Sequence, residues 1–342
     1  MNGHPAERPE PRRSYAPLAP LGHPAPHPDL PAVRAYWNAR IHDEDIATSP
    51  PGTRAYFDEL DAYRFGKLDY LASLVDFSRF AGRRVLEVGC GAGVDLVRFA
   101  QAGAAVVGVD IAATPLELAR ANAGARSLRV PLAGADGAHL PFADESFDFV
   151  YCHGVLPYSP EPHGIVVEAH RVLRPGGVAL FMAYHRRSWL TAMSRLTRTG
   201  LEHDDAPVFR LHTADELERT VALFSRRRIL CERFPVRSRL HDGVKGALFN
   251  TLFVPAFRAL PRRLTRGLGW HLIALCEKDG VADDAPGEPE RAAGGFAPDR
   301  PTGPLGPDEP ALPRGGAAPA EPAVPLGPDE PAMPTRAAAE GA

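Results

Sequence analysis

Apolar positions change rhythm several times along this chain, and the changes mark its elements. From Ala32 to Leu74 they recur at helical spacing, broken near Pro50. RRVLEVGCGAGVDLVRFAQAG then reads as a short buried strand (Val85 to Val88), a glycine-rich turn and an amphipathic helix (Gly93 to Ala102), and AVVGVD (Ala105 to Asp110) follows as a second strand. Right-handed crossover makes these strands parallel neighbours. The alternation continues with a helix near Leu116 to Ala123, strands near Leu128 to Leu132 and Phe147 to Cys152, a helix from Pro162 to Leu173 and a strand at Gly177 to Ala183. Thr213 with Glu216 three residues later forms a capping box opening a helix to Phe224, and Arg228 to Phe234 and His271 to Cys276 are further strands. Strands alternating with helices predict an α/β fold: a doubly wound, mostly parallel sheet with helices on both faces.

Composition bounds this body at both ends. Residues 1–31 are too rich in proline to sustain a helix or a central strand and are expected to be a disordered leader. Residues 32–82 form a helical lead-in, or cap, ahead of the alternating domain at 83–278. From 279 to 342 Ala, Gly, Pro and acidic residues dominate, and the phrase PLGPDEPA occurs twice, from Pro304 and from Pro325. A disordered tail is expected there, with docking of a partner protein as the alternative. The segment 236–269 is an insertion both apolar and basic, with Lys245, Arg258, Arg262, Arg263 and Arg266. Peripheral contact with a membrane is one reading of it. Pro255 and Pro261 interrupt any long amphipathic helix, which favours a cap over the sheet edge.

Charge and cysteine usage remove other classes. A formal net charge of −3 over 342 residues gives no ground for a nucleic-acid partner. Cys90, Cys152, Cys231 and Cys276 are scattered, without CxxC pairs or histidines at ligand spacing, so neither a metal site nor a disulfide framework is expected. No run is long and apolar enough for stable membrane insertion, and the N-terminus lacks the apolar core of a signal peptide, so a cytoplasmic enzyme is the expectation.

The chemistry concentrates at the glycine-rich turn. Gly89, Gly91 and Gly93 between strand and helix let backbone approach a ligand closely, and Asp110 at the end of the next strand can accept hydrogen bonds from ribose hydroxyls. A dinucleotide would use a related pattern, which keeps an NAD(P)-dependent oxidoreductase in view. Two details weigh against it: Glu87 would set a carboxylate close to a pyrophosphate, and the third glycine comes one position early for the dinucleotide spacing. A cationic amino-acid ligand would welcome Glu87 instead.

VLEVGCGAG resembles the first motif of class I S-adenosylmethionine-dependent methyltransferases. GVDIAATPLELARAN, ADGAHLPFADESFDFVYCHGVLPY, HRVLRPGGVALF and TADELER resemble successive elements of the type 11 methyltransferase group, from Arg83 to Lys278. The resemblance implies a Rossmann-like sheet with an antiparallel last strand, S-adenosyl-L-methionine as cofactor, and a small-molecule acceptor whose methylated atom (O, N or C) stays open. By position it implies that Gly89, Cys90, Gly91 and Gly93 carry the cofactor's amino-acid end with Glu87 turned toward it. Asp110 would then hold the ribose, Ile111 press on the adenine, Asp136 accept from the adenine amine with Gly137 or Ala138 at a ring nitrogen, and His153 and Gly154 lie beneath the methyl. His153 is the first candidate for a general base and His185 the second, since each follows a parallel strand where such sheets bind ligands. Tyr63, Tyr158 and Tyr184 are candidates for an aromatic lining. A non-catalytic nucleoside-binding scaffold acting through its repeated tail is the alternative from another class.

Overall fold

In the computed structural model, residues 27–236 and 243–280 are described; most of the leader and nearly all of the tail, with its repeated phrase, lie outside the described residues. Seven strands run side by side in the order β3-β2-β1-β4-β5-β8-β7: β1 Arg84–Val88, β2 Ala105–Asp110, β3 Leu132–Gly134, β4 Phe147–Cys152, β5 Leu173–His185, β7 Arg226–Glu232 and β8 His271–Glu277. A two-residue β6, Leu211–His212, joins the end of β5 in parallel. β1 through β5 are parallel to one another, while β8 runs antiparallel to both β5 and β7, so the fold is the doubly wound, Rossmann-like sheet with an antiparallel last strand.

Alternation along the strands, interrupted in β4 between Phe147 and Phe149, gives the sheet two buried faces. Leu86 and Val88 join the core on one side with Phe147, Val150 and Phe181, and Val85 joins the other with Phe149, Tyr151, Leu96 and Phe99. Helices α4 (Val94–Gln101), α5 (Ala113–Gly124), α6 (Pro162–Val172) and α8 (Ala214–Thr220) follow their strands, and the capping box of Thr213 and Glu216 opens α8 as its sequence requires. From β1 the chain winds one way to β2 and β3, then returns to β4 on the other side of β1. The crevice at that switch point, above the carboxyl ends of β1 and β4, is where such sheets receive ligands.

Several elements depart from the sequence pattern: β7 lies two residues before the expected Arg228 to Phe234, and α8 stops at Thr220 rather than Phe224. β3 starts at Leu132 rather than Leu128, because Pro131 has no amide hydrogen for the ladder and offers only its carbonyl, which accepts from Gly108 N at 3.0 Å. β5 begins at Leu173, four residues early, and carries its Pro-Gly-Gly sequence as an irregularity: the register with β4 shifts between Phe147 and Phe149, and Gly176 has φ +73°.

The lead-in folds as α1 (Leu30–Ala39), α2 (Arg54–Lys67) and α3 (Leu71–Leu74). α5 has no capping side chain of its own; Asn38 of α1 supplies it, its Oδ1 accepting from Ala113 N at 2.8 Å and Thr114 N at 3.1 Å. This cap pins α1 across the crevice. Asn38→Ala is expected to cost about 1 kcal/mol of stability in urea unfolding, a loss that Asn38→Asp should largely avoid.

The insertion forms α9 (Gly243–Leu248), a π-helical turn (Phe249–Phe253), α10 (Val254–Ala259) and α11 (Arg262–Thr265). It is seated on α7 (Trp189–Thr197) through Trp189, whose ring centroid lies 6.1 Å from Phe249 and 6.0 Å from Phe253. Among the described residues no helix is long and apolar enough to cross a membrane.

Candidate active site

One cavity occupies the switch-point crevice, walled by the glycine-rich turn, the ends of β2 and β4, the lead-in helices and the far ends of β7 and β8. Gly89, Gly91 and Gly93 all have positive φ (+71°, +54° and +74°) yet do three different things. A side chain at Gly89 would collide with Val155, and one at Gly93 would come within 3.1 Å of the Ala119 backbone in α5, so Gly93 sets helix packing and does not itself line the cavity. Only at Gly91 is there nothing within 4 Å of an added Cβ. Gly89, Cys90 and Gly91 do line the cavity.

Carboxylates surround this turn. Asp110, at the end of β2, accepts from Gly91 N and Ala112 N, each at 3.0 Å, and so braces the turn while still facing the cavity. Glu87 is 4 % exposed and its Oε2 has no hydrogen-bond partner. Burial, reinforced by the neighbouring carboxylates of Asp95 and Asp110, holds the Glu87 carboxyl well above its ordinary range. Asp95, in the first turn of α4, is answered by Arg64 of α2 through a two-pronged contact (Nε to Oδ1 at 2.7 Å, with the Arg64 terminal nitrogen on Oδ2), and it also accepts from Tyr151 OH at 2.8 Å. Arg64 keeps the Asp95 carboxylate below its usual range despite burial. Glu87 and Asp110 have no such counter-ion.

His153 enters the cavity wall beyond β4 with both ring nitrogens engaged: Arg64 donates to Nδ1 at 3.3 Å, and Nε2 meets Tyr70 OH at 2.9 Å. Burial and the Arg64 charge push its pKa down to about 3. It is therefore neutral at pH 7 and, while these contacts stand, has no lone pair for an acceptor's proton, which argues against the general-base role that its sequence position suggested. His185 is not brought to the cavity at all. It is buried at the end of β5, where Nδ1 lies 3.1 Å from the Gly269 carbonyl.

On the other flank, Ile111 and Asp136 line the cavity. Asp136 Oδ1 accepts from Ala138 N at 3.0 Å, which already occupies the Ala138 amide, and Oδ2 lies 3.0 Å from His139 Nδ1. Gly137 faces the core, where a Cβ would come 2.9 Å from Val88. Gly154, with φ +91°, lines the cavity beside His153. Tyr158 and Tyr184 also line it, joined to Trp37 of α1 by the edge of Tyr158 at a centroid distance of 5.0 Å. Tyr63 does not reach the cavity; its ring lies under Lys67 Nζ at 5.1 Å.

Several residues at this site carry no motif in the sequence. Arg64, Tyr70, Arg233 and His271 meet across separations of up to 201 positions. The one local signal was Asp95, a charge on the apolar face of α4. The fold also gathers His42, Glu202 and His203, with ligand-type atoms within 4.8 Å of one another, where sequence spacing gave no such cluster. Lys67 Nζ already occupies Glu202 Oε1 at 2.9 Å.

Comparison with known proteins agrees with this architecture. Residues 86–181 match the profile of the methyltransferase domain family. The chain is 30 % identical over 162 residues to the ubiquinone biosynthesis O-methyltransferase of Alkalilimnicola ehrlichii, covering 45 % of this chain and 65 % of the relative. It is 33 % identical over 115 residues to that of Klebsiella pneumoniae (33 % and 48 % covered), and 40 % identical over 100 residues to the methyltransferase GfsG of Streptomyces halstedii (28 % and 36 % covered). The chain thus spans about half the length of the curated relatives it matches. Among solved structures, geranyl diphosphate C-methyltransferase of Streptomyces coelicolor, crystallised with Mg²⁺, geranyl diphosphate and S-adenosyl-L-homocysteine, is similar at TM-score 0.47 and 17 % identity, over 75 % of this chain and 100 % of the other.

Proposed function

We propose, from the premise that residues 86–181 form a methyltransferase domain of the S-adenosylmethionine-dependent class, that this chain moves a methyl group to a small-molecule acceptor held under its lead-in helices. The observation carrying the reading is the unpartnered, buried carboxyl of Glu87 beside the open backbone of Gly91. A pyrophosphate placed there would meet carboxyl groups and no cation to answer it, whereas the ammonium of an amino-acid ligand supplies the missing partner. That is also the test of fit for the cofactor: one end of the cavity offers Glu87 to an ammonium, Asp110 retains lone pairs for ribose hydroxyls, and Asp136 with Ile111 suits the adenine.

Bound there, the cofactor supplies an activated methyl on a sulfur that leaves readily. The chain's own share is alignment and the exclusion of water. α1, pinned by Asn38, and α2, tied down by Arg64 to Asp95, cover the crevice, while Trp37, Tyr158 and Tyr184 present aromatic surface to the acceptor. The names of the ubiquinone-biosynthesis relatives favour an oxygen as the atom methylated.

The test is calorimetric titration with S-adenosylhomocysteine, with NADH as the competing ligand; heat with NADH alone would refute the reading. A sharper result is expected from Glu87. Its raised pKa means that the ligand-free fold takes up a proton at higher pH than an ordinary carboxyl does, so stability from this group is present at low pH and lost as pH rises through the folded value. Pairing with an ammonium ionises the group and expels that proton. Titrations in two buffers of different ionisation enthalpy, repeated at several pH values, should show proton release on binding. Glu87→Gln should abolish the release and weaken binding about tenfold.

A further inference from the structure

Five side chains form a continuous run, Arg64, His153, Tyr70, His271 and Arg233, of which all but Tyr70 line the cavity. The contacts are Arg64 to His153 Nδ1 at 3.3 Å, His153 Nε2 to Tyr70 OH at 2.9 Å, Tyr70 OH to His271 Nδ1 at 2.6 Å, and His271 Nε2 to Arg233 at 3.1 Å. Hydrogen positions follow from counting. Both guanidiniums can only donate, so one of the two rings must turn an N–H toward one of them. Arg64 is already neutralised by Asp95 whereas Arg233 lies 3.7 Å from Glu202, which assigns His153 Nδ1 as acceptor from Arg64 and its imidazole proton to Nε2. That proton goes to the Tyr70 oxygen, and the Tyr70 hydroxyl hydrogen goes on to His271 Nδ1. The proton of His271 is thereby left on Nε2, where it faces another donor, Arg233.

With neutral rings the run holds five hydrogens for four contacts, and the surplus falls where His271 and Arg233 both border the cavity. Burial and the charge of Arg233 hold His271 well below its ordinary pKa, so it does not carry a further proton. Arg233 is itself poorly neutralised. Its carboxylate contact, Glu202 at 3.7 Å, is shared with Lys67 at 2.9 Å. Its backbone is held in the left-handed region at φ +58°, with its carbonyl accepting from Trp270 N at 3.2 Å and Trp189 Nε1 at 2.9 Å. Strain of this kind in a non-glycine residue persists where surrounding structure enforces it, and it is concentrated at ligand sites.

We infer that the pair Arg233 and His271 Nε2–H is a receptor for an anionic oxygen of the acceptor molecule, a carboxylate or a phenolate. The missing acceptor between two donors is what such a group provides, and a charged oxygen does so more strongly than a neutral one. The inference deepens the methyl-transfer reading by naming a substrate class, and it rests on that reading for the acceptor's identity as substrate.

Protein labelled with ¹⁵N-histidine tests it directly, with benzoate as probe and benzamide as its neutral counterpart. Two-bond nitrogen–proton spectra, with His271 assigned through a His271→Asn variant, should show the neutral Nε2–H tautomer at pH 7.5. Benzoate should shift that resonance saturably with a Kd of order 10 mM, the range expected of a fragment this small. Benzamide should bind at least tenfold more weakly, Arg233→Gln should lose the benzoate response, and Arg233→Lys should keep part of it. An Nδ1–H tautomer, equal responses to the two probes, no response to benzoate by about 100 mM, or an unchanged response in Arg233→Gln would overturn the inference. Should Arg233→Gln fail to fold, the comparison of the two probes on the unaltered chain still decides. S-adenosylhomocysteine titration on the same samples separates the two readings: loss of that binding in the unaltered chain would defeat the methyl-transfer reading, while the benzoate result stands by itself.

Discussion

Asp110→Ala is expected to lower affinity for S-adenosylhomocysteine by 100-fold or more. The carboxylate has two tasks, and alanine removes both. It faces the cavity, where the ribose hydroxyls of the proposed ligand would donate to it, and it holds the Gly91 and Ala112 amides at 3.0 Å, keeping the glycine-rich turn in its left-handed shape. Two hydrogen bonds to a charged group contribute roughly 1.5–3 kcal/mol each, so loss of the ligand contacts alone accounts for two or more powers of ten. Asp110→Asn should not rescue binding fully, because its NH₂ would confront one of two amide donors that now meet carboxylate oxygens. Calorimetry measures the affinity, and far-UV circular dichroism checks that the sheet persists. Affinity unchanged in Asp110→Ala would remove the ribose assignment and, with it, the orientation of the ligand in the cavity.

How far this site was legible in the sequence depends on how local each signal is. The turn and Asp110 were readable because strand, glycine turn, helix and second strand follow one another within about thirty residues, and βαβ handedness then fixes where they meet. Glu87 was readable because it lies just ahead of the first glycine, where its carboxylate would oppose a pyrophosphate. β3 was misplaced because the ladder begins only after Pro131, a matter of hydrogen bonding rather than of apolar rhythm. The histidines show the limit most clearly. Sequence puts His153 and His185 alike after parallel strands, yet one turns into the cavity between Arg64 and Tyr70 and the other onto the Gly269 carbonyl. Which way each faces is decided by α2, α3 and β8, elements far away in the chain. His271 and Arg233 had no motif at all, since their meaning arises only from the contacts they complete.

Loss of Arg64 is expected to cost a large share of the stability. Its side chain is 17 % exposed, that of Asp95 only 1 %, and Arg64 is the cation that answers the Asp95 carboxylate beside the turn. Arg64→Met keeps most of the bulk but strands Asp95 in the interior with Tyr151 as its remaining partner, a change that typically costs about 3–5 kcal/mol. Asp95→Leu added to it should recover much of the loss, because replacing both members of a buried pair by apolar groups is often close to neutral. The pH dependence gives an independent check of cause. In the native chain the Asp95 pKa is lowered, so its contribution is complete above the unfolded value and is lost as the pH falls through the folded one. Without Arg64 burial dominates and raises that pKa, and the sign reverses: the variant gains relative to the native chain as the pH is lowered from 7 toward 5. Urea unfolding at several pH values should show the gap between the two narrowing on acidification. A gap that stays constant would mean that Arg64 acts through packing alone, and that the charge on Asp95 is balanced by something other than the lead-in helix.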